Sequence, residues 1–357
     1  MPVAAQIGRL PRDDDEMAFT RSDVLVATRA QVGLGGVVRL DSAHFHVVYR
    51  IVHRAQARTA PMASEQLGMI IELLRATPIL GDGDFDAQRA GIEAGAGALP
   101  LPDRTAVEPV IANGVPCEWV AVGDADADRT IVYFHGGAYT IGSVNTHRRI
   151  VANLSQATGA RVLNVDYRLA PEHPHPAAVD DAISAYTWLL DQGAAPERVV
   201  LAGDSAGGGL SAATLVAIRD RGLPLPAGAA LISPWVDLAF NGGSHDTRVH
   251  LDPMCSRASL SPAADAYLDG LDPKTPLASP VYADLSGLPP LVIHVGDHET
   301  LLDDARDLAA NAEDAGVEVE LWVAPEMIHV WHAFAGVVPE SDAAVARLAE
   351  WIKRRLA

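Results

Sequence analysis

Residues 198–220 read RVVLAGDSAGGGLSAATLVAIRD, and this segment is the most informative one for the fold. An apolar run typical of a strand buried on both faces ends at GDSAG, and a run of small residues typical of a helix follows. G-x-S-x-G between a strand and a helix is the pattern of a nucleophile elbow, a tight turn that holds the serine in a strained conformation. Ser205 is therefore a candidate nucleophile, at the head of a helix whose N–H groups favour negative charge. The alternative interpretation is a glycine-rich turn of a nucleotide-binding fold.

The rest of the chain continues this alternation of strand and helix. Three helical runs end in glycine, the usual residue just past a helix C-terminus, at Gly159, Gly193 and Gly316. Short β-rich runs separate the helical runs from about residue 107 onward. Such alternation predicts an α/β protein with a mostly parallel, doubly wound sheet. The predicted strands read VEPVIA, CEWVAV, TIVYFHGG, ARVLNVDY, RVVLAGDS, AALISPW, PPLVIHVG and VEVELWVA.

Two parts of the chain fall outside this alternation. Residues 1–75 show helical periodicity without strands, notably at 44–56 and at 64–76, where the first residue is a serine that can cap the helix. Residues 237–280 are rich in Gly, Pro, Asp and His and contain no strong strand pattern. We expect residues 1–75 to form an N-terminal helical cap and residues 76–357 to form the catalytic domain, with 237–280 as a second cap segment.

Composition limits the partners of this chain. Its 357 residues carry 46 acidic side chains against 27 Lys and Arg, a net charge of −19, which argues against nucleic acid or an anionic membrane as a partner. Cys117 and Cys255 are the only cysteines, so no disulfide framework can form and a reduced compartment fits best. No run has the length of a signal peptide or the roughly 18 apolar residues of a membrane span. We expect a cytoplasmic protein that binds a small molecule, and the sequence leaves a homodimer open.

A second glycine-rich turn follows another predicted buried strand and reads HGGA at residues 135–138. Consecutive glycines let backbone N–H groups approach a ligand closely. The N–H groups of Gly136 and Gly137, with that of Ala206, can therefore stabilise the oxyanion of an acyl-transfer reaction. His135 is interpreted as a structural residue that hydrogen-bonds the loop. A nucleotide site is disfavoured, because the chain contains neither G-x-G-x-x-G nor G-x-x-x-x-G-K-[ST].

A serine nucleophile needs a base and an acid that orients the base. His329 and His332 compete for the role of base, since both lie in APEMIHVWHAF after the last predicted strand. Position alone favours neither. The acid should follow the strand PPLVIHVG, and most acids there are expected to be structural because a helix N-terminus attracts them. Four carboxylates are available: Asp297, Glu299, Asp303 and Asp304.

Together these segments resemble the hormone-sensitive-lipase-like esterases, the bacterial family IV carboxylesterases. The resemblance extends from about residue 107 to the C-terminus and rests on HGGAY, DYRLAPEHPHPAAVDDA, GDSAGGGL, SPVYADLSGLPPLVIHVGDHETLLDDA and a late M-x-H. It implies an α/β-hydrolase fold with a helical cap. It also implies Ser205 as nucleophile, His329 as general base and Glu299 as acid. The implied oxyanion donors are Gly136, Gly137 and Ala206.

The chain departs from the family pattern at the acid, where Glu299 replaces the first Asp of the commoner D-x-L-x-D. Asp303 is then expected to be a supporting carboxylate that orients the helix. Asp204, beside the nucleophile, is expected to support the site through nearby backbone or a side chain of the oxyanion loop. In DYRLAPEHPHP, a salt bridge between Arg168 and Glu172 is expected to fix the proline-rich connection.

The function implied by the resemblance is that of a serine carboxylesterase acting on short- to medium-chain esters, with no metal or organic cofactor. The sequence contains neither H-E-x-x-H nor a His/Cys cluster with zinc spacing. One alternative is an amidase, because the triad chemistry is the same. The other is a non-catalytic small-molecule receptor on the same fold, against which the presence of His329 argues.

Overall fold

A computed structural model describes residues 63–81 and 84–357, and an eight-stranded sheet forms the centre of this part of the chain. The strand order is β1-β2-β4-β3-β5-β6-β7-β8. β2 pairs antiparallel with β1 and β4, and all other pairs are parallel. Each predicted strand is present, so the expectation of a mostly parallel sheet is confirmed. The strands are β1 (Thr105–Ala112), β2 (Val115–Val122), β3 (Asp126–Phe134), β4 (Ala160–Val165), β5 (Val199–Asp204), β6 (Gly228–Ile232), β7 (Leu291–Gly296) and β8 (Val319–Ala324).

Short turns join β1, β2 and β3, and helices connect the strands from β3 onward. In the described part of the chain, no helix is both long enough and apolar enough to cross a membrane. Among the described residues, short 3₁₀ turns lie at Pro196–Arg198, Pro280–Tyr282 and Trp331–Phe334. The α-helices are α1 (Glu65–Ala76), α2 (Phe85–Gly95), α3 (Val144–Thr158), α4 (Ala177–Asp191), α5 (Ala206–Asp220), α6 (Ser244–Thr247), α7 (Arg257–Leu268), α8 (Leu302–Asp314) and α9 (Pro339–Arg355).

The sheet is covered by helices on both faces. Helices α4, α5 and α8 share one apolar cluster with Leu201 and Ile293 of the central strands. Helices α3 and α9 share the other cluster with Val200 and Val292, which directly precede Leu201 and Ile293 in the sequence. Successive side chains of a strand point to opposite faces. The central strands therefore read as continuous apolar runs, and the doubly wound architecture is confirmed.

Helix α1 confirms part of the helical prediction for the N-terminal region. The Ser64 hydroxyl caps it by accepting the N–H of Leu67 at 3.2 Å, and Leu67 and Leu74 are buried against the segment that follows β8. Ser64 also binds Glu340 of α9, with its N–H 2.6 Å and its hydroxyl 2.8 Å from the carboxylate oxygens. The other predicted helix, at 44–56, lies outside the described residues.

Residues 237–280 contain α6 and α7 and no strand, as the sequence predicts. Two acids of α8 attach this insertion to the domain. Asp304 accepts the N–H of Asp237 at 2.9 Å, and Asp303 accepts the N–H of Ser244 at 2.8 Å. Asp303 thus has a supporting contact, but the element it supports is the insertion.

Candidate active site

Ser205 lies in a sharp turn between β5 and α5. Its φ of 53° and ψ of −119° belong to a region that residues with a side chain rarely adopt. Its N–H donates to the Ile232 carbonyl at 2.8 Å, and its carbonyl accepts the Trp235 N–H at 2.9 Å. A Cβ at Gly207 would lie 1.9 Å from the Phe134 carbonyl oxygen, so only glycine fits there. The elbow predicted from GDSAG is present.

His329 and Glu299 form a buried hydrogen-bonded pair, with His329 Nδ1 2.9 Å from Glu299 Oε2. Their exposed fractions are 3% and 0%. An ionised carboxylate can only accept, so Nδ1–H is the donor and Nε2 of the neutral ring is free to accept a proton. His329 and Ser205 both line one cavity. The structure therefore brings together the three side chains that the resemblance selected.

The second oxygen of Glu299 connects the acid to the loop that carries His329. Oε1 accepts the N–H of Gly296 at 2.5 Å and the hydroxyl of Ser233 at 2.8 Å. The Ser233 oxygen in turn accepts the N–H of Val330 at 3.1 Å. Sequence reasoning missed Ser233, whose only signal is its place directly after the strand β6.

For both members of this pair, burial and the neighbouring groups shift the pKa in opposite directions. Burial lowers the pKa of His329, but Cys255 and Glu299 raise it more strongly, so the pKa lies well above its ordinary value of 6.5. Burial raises the pKa of Glu299, and hydrogen bonds from His329 and Gly296 offset part of that effect. The imidazolium that forms during proton transfer is therefore stabilised at this position.

The competing histidine and acids have other partners. His332 Nε2 lies 3.0 Å from His294 Nδ1, and burial lowers the pKa of His332 to about 3. Asp297 accepts the N–H of Glu326 at 2.6 Å. Asp303 and Asp304 bind the insertion. Within the described part of the chain, none of these groups is hydrogen-bonded to His329.

The structure of the glycine turn, residues 136–141, differs from the expectation that Gly136 is an oxyanion donor. The N–H of Gly136 donates to Asp204 Oδ1 at 3.1 Å, so it is already occupied, and Gly136 is not among the residues that line the cavity. The next two residues do line it, Gly137 with φ of 115° and Ala138 with φ of 52°. Their N–H groups have no protein acceptor among the described residues. Gly137 therefore stays a candidate oxyanion donor, and Ala138 replaces Gly136 as the second candidate in this turn.

Asp204 holds the glycine turn against the elbow, which agrees with the supporting role expected for it. Besides the Gly136 N–H, it accepts the Tyr133 hydroxyl at 2.6 Å, and His147 Nε2 lies 3.5 Å away. Burial raises the pKa of Asp204, but His147 and Tyr133 reverse the shift and the pKa is lowered. His135 is buried, its Nδ1 is 2.7 Å from the Gly136 carbonyl oxygen, and burial lowers its pKa to about 3. The ring is therefore neutral and donates to the turn.

The expected salt bridge between Arg168 and Glu172 does not form. Arg168 binds Asp181, with Nη2 2.7 Å from the carboxylate. Glu172 binds Arg89 of α2 at 2.6 Å. Both residues do fix the proline-rich connection, Arg168 through an acid 13 positions later and Glu172 through an arginine 83 positions earlier.

The cavity at Ser205 has a volume of about 400 Å³, which is at the small end of the range for ligand sites. Its two arginines are already bound, Arg148 to Glu118 at 2.8 Å and Arg149 to the Ala333 carbonyl oxygen at 3.1 Å. The remaining wall is mainly apolar. Its large apolar side chains are Leu74, Ile79, Leu80, Ile92, Leu99, Leu101, Ile141, Ile150, Met254, Val330 and Phe334.

A mostly parallel sheet with a strained serine between β5 and the next helix defines the class: this is an α/β hydrolase. The family model described as "alpha/beta hydrolase fold" matches residues 131–333. The chain is 45% identical over 284 residues to an acetyl-hydrolase of Streptomyces hygroscopicus, covering 80% of this chain and 95% of that one. It is 35% identical over 273 residues to the carboxylesterase NlhH of Mycobacterium tuberculosis, covering 73% and 80%.

Solved structures narrow the class further. An esterase of the bacterial hormone-sensitive lipase family superimposes with a TM-score of 0.80 at 45% identity, covering 83% of this chain and all of that one. The esterase EstE5, in crystals soaked with p-nitrophenyl butyrate, gives a TM-score of 0.79 at 45% identity, covering 82% and 99%. The chain belongs to the hormone-sensitive-lipase-like esterases, and it is a carboxylic ester hydrolase.

Proposed function

We propose that this enzyme hydrolyses neutral carboxylic esters with short to medium acyl chains, through Ser205, His329 and Glu299. The observation that carries the proposal is the 2.9 Å contact between His329 Nδ1 and Glu299 Oε2, in a cavity that His329 shares with Ser205. This contact fixes the tautomer that a general base needs. A structural histidine would not require a buried carboxylate at Nδ1 beside an elbow serine.

The reaction follows from this arrangement. Ser205 Oγ attacks the ester carbonyl while His329 Nε2 accepts its proton, and Glu299 stabilises the resulting imidazolium. The N–H groups of Gly137, Ala138 and Ala206 receive the oxyanion. Ala206 is the first residue of α5, so its N–H has no partner within the helix. His329 then returns the proton to the leaving alcohol, and water releases the acid from Ser205 by the same route.

The cavity supports the choice of substrate. Arg148 is paired with Glu118, and the guanidinium of Arg149 donates to backbone carbonyls, so neither side chain is free to bind a charged acyl group. An apolar space of about 400 Å³ suits a few methylene groups on each side of the ester and excludes a triglyceride. We propose that α1 and the insertion 237–280 act as the cap, because Leu74 of the first and Met254 of the second lie on the cavity wall.

A substrate panel tests the proposal. Purified enzyme is assayed with p-nitrophenyl acetate, butyrate, octanoate and laurate and with p-nitrobutyranilide. We expect turnover of the first two esters, little of laurate, and none with Ser205→Ala, whose circular dichroism stays unchanged. Faster turnover of the anilide than of the butyrate ester would indicate an amidase. Saturable binding of butyrate without turnover would indicate a receptor.

The cytoplasmic location expected from the sequence remains a prediction, and a homodimer remains possible from the sequence. Cys117 and Cys255 are both buried and unpaired with each other, which supports a reduced compartment. A size-exclusion measurement with light scattering determines the oligomeric state.

A further inference from the structure

Helix α2 is attached to the domain mainly by polar contacts. It forms part of the cavity wall through Ile92, yet none of its side chains is fully buried. Arg89 and Glu93 lie one helical turn apart and face the same side. Glu93 accepts the Ser143 hydroxyl and, at 2.7 Å, the side-chain N–H of Asn145. Apolar burial alone would therefore hold this helix weakly.

Arg89 makes the most extensive of these contacts. Its Nε donates to the Thr140 carbonyl oxygen at 2.7 Å and its Nη2 to the Ala170 carbonyl oxygen at 2.8 Å. The guanidinium also binds both carboxylate oxygens of Glu172, at 2.6 and 2.7 Å. A planar fork of N–H donors can satisfy all these acceptors at once, whereas the single ammonium group of a lysine cannot.

One carbonyl bound by Arg89 lies in the glycine turn, at Thr140, and the other belongs to Ala170, which is itself hydrogen-bonded to the turn. The Thr140 N–H donates to the Gly137 carbonyl oxygen at 3.0 Å and closes the turn, and the Ala170 N–H donates to the Tyr139 carbonyl oxygen at 2.9 Å. Ala138 and Tyr139, between these bonds, have φ of 52° and 63°. Two consecutive left-handed residues other than glycine cost about 1–3 kcal/mol each and persist only when their surroundings fix them.

We propose that Arg89 is a positioning residue for catalysis, which holds the glycine turn so that the N–H groups of Gly137 and Ala138 point at the oxyanion. The inference rests on the proposed function and adds a residue to it, on a helix outside the sheet. The same side chain fixes the helix that bears Ile92, so the cavity wall and the oxyanion donors are set together. Oxyanion donors act only near their optimal distance, and a displacement of about 1 Å can cost about a hundredfold in rate.

The test compares Arg89→Gln and Arg89→Lys with wild type, using p-nitrophenyl butyrate. We expect kcat to fall about tenfold or more in both variants, with KM changed less than about threefold, because the turn acts on the transition state more than on the bound ester. Inhibition by butaneboronic acid, whose serine adduct is tetrahedral, should weaken by the same factor as kcat/KM falls. Guanidinium ion should restore part of kcat to an Arg89→Ala variant.

A matched control separates positioning from general stabilisation. Arg219 has a similar exposed fraction, 21% against 24%. It likewise binds two backbone carbonyls, those of Asp284 at 2.6 Å and Ser286 at 2.7 Å, and the carboxylate of Asp220. Arg219→Gln should lower the melting temperature while leaving kcat and boronate inhibition unchanged.

The possible results are distinguishable. If wild type turns over no ester, the proposed function fails. If wild type is active and both Arg89→Gln and Arg89→Lys keep kcat within about twofold, the positioning role is wrong. It is equally wrong if Arg219→Gln loses as much kcat as Arg89→Gln, or if boronate inhibition is unchanged in the Arg89 variants.

Discussion

Replacing Glu299 by Gln tests the acid of the proposed triad with almost no change in shape. Oε1 of Glu299 accepts two donors, the Gly296 N–H and the Ser233 hydroxyl, so the amide oxygen of Gln must take that place. Its NH2 group then faces His329 Nδ1. Nδ1 must become the acceptor, which moves the ring proton to Nε2, the atom that should accept the proton of Ser205.

The wrong tautomer should lower kcat by about 10³–10⁴, the size of effect known for the corresponding change in a Ser-His-Asp triad, which is about 4–5.5 kcal/mol of transition-state stabilisation. The fold should be retained, because Gln keeps the volume of Glu and can still accept the Gly296 N–H and the Ser233 hydroxyl. The assay is kcat on p-nitrophenyl butyrate, with a thermal melt as the check on folding. Burst titration counts the sites that are still acylated.

Two carboxylates provide the controls for this variant. Asp297→Asn and Asp303→Asn each change an acid that binds backbone N–H groups elsewhere, so kcat should fall less than about tenfold in either. A Glu299→Gln enzyme with near wild-type kcat, beside an Asp297 or Asp303 variant without activity, would show that Glu299 is not the acid.

Three further predictions concern the same site. The rate should rise with pH through one ionisation, because only neutral His329 accepts a proton. Since the pKa of His329 is raised, the midpoint of the kcat/KM profile should lie above pH 6.5. Glu299→Gln removes the charge that stabilises the imidazolium and should move this midpoint to lower pH. Ser233→Ala removes a donor to Glu299 and an acceptor of the Val330 N–H. We expect kcat to fall about tenfold and the free energy of unfolding to fall by about 1–3 kcal/mol. The ester assay and a chemical-denaturation curve measure the two effects, and no change in either would contradict the role given to the Ser233 hydroxyl. Activity across p-nitrophenyl esters should fall steeply beyond about eight acyl carbons, because the cavity is near the small end of ligand sites. A maximum at laurate would show that the cavity does not limit acyl length.

The fold was predictable because its signals are local. Central strands packed between two layers of helices are apolar on both faces, and β6 and the first four residues of β5 therefore read as unbroken apolar runs. Helix ends at Gly159 and Gly193 adopt positive φ, of 72° and 90°, which explains why glycine marked them in the sequence. The helix predicted at residues 44–56 lies outside the described residues and stays a prediction.

The site was predictable only where a motif fixes a residue. Ser205 is marked by its elbow, but the direction of an N–H group is not written in the sequence, so Gly136 was assigned a role that its bond to Asp204 excludes. Consecutive N–H groups can point to different sides, and HGGA does not show which of them face the cavity. The partner of Glu172 was missed for another reason, since Arg89 lies 83 positions away and no local pattern joins them.

The cavity wall is built largely from separate segments outside the sheet, among them α1 with Leu74, the stretch after α2 with Leu99, the insertion with Met254, and the 3₁₀ turn with Phe334. The elbow, in contrast, tolerates no side chain at Gly207. For directed evolution this separation is useful. Libraries at Leu74, Leu99, Met254 and Phe334 can change which esters enter the enzyme, while the atoms that break the ester bond keep their positions.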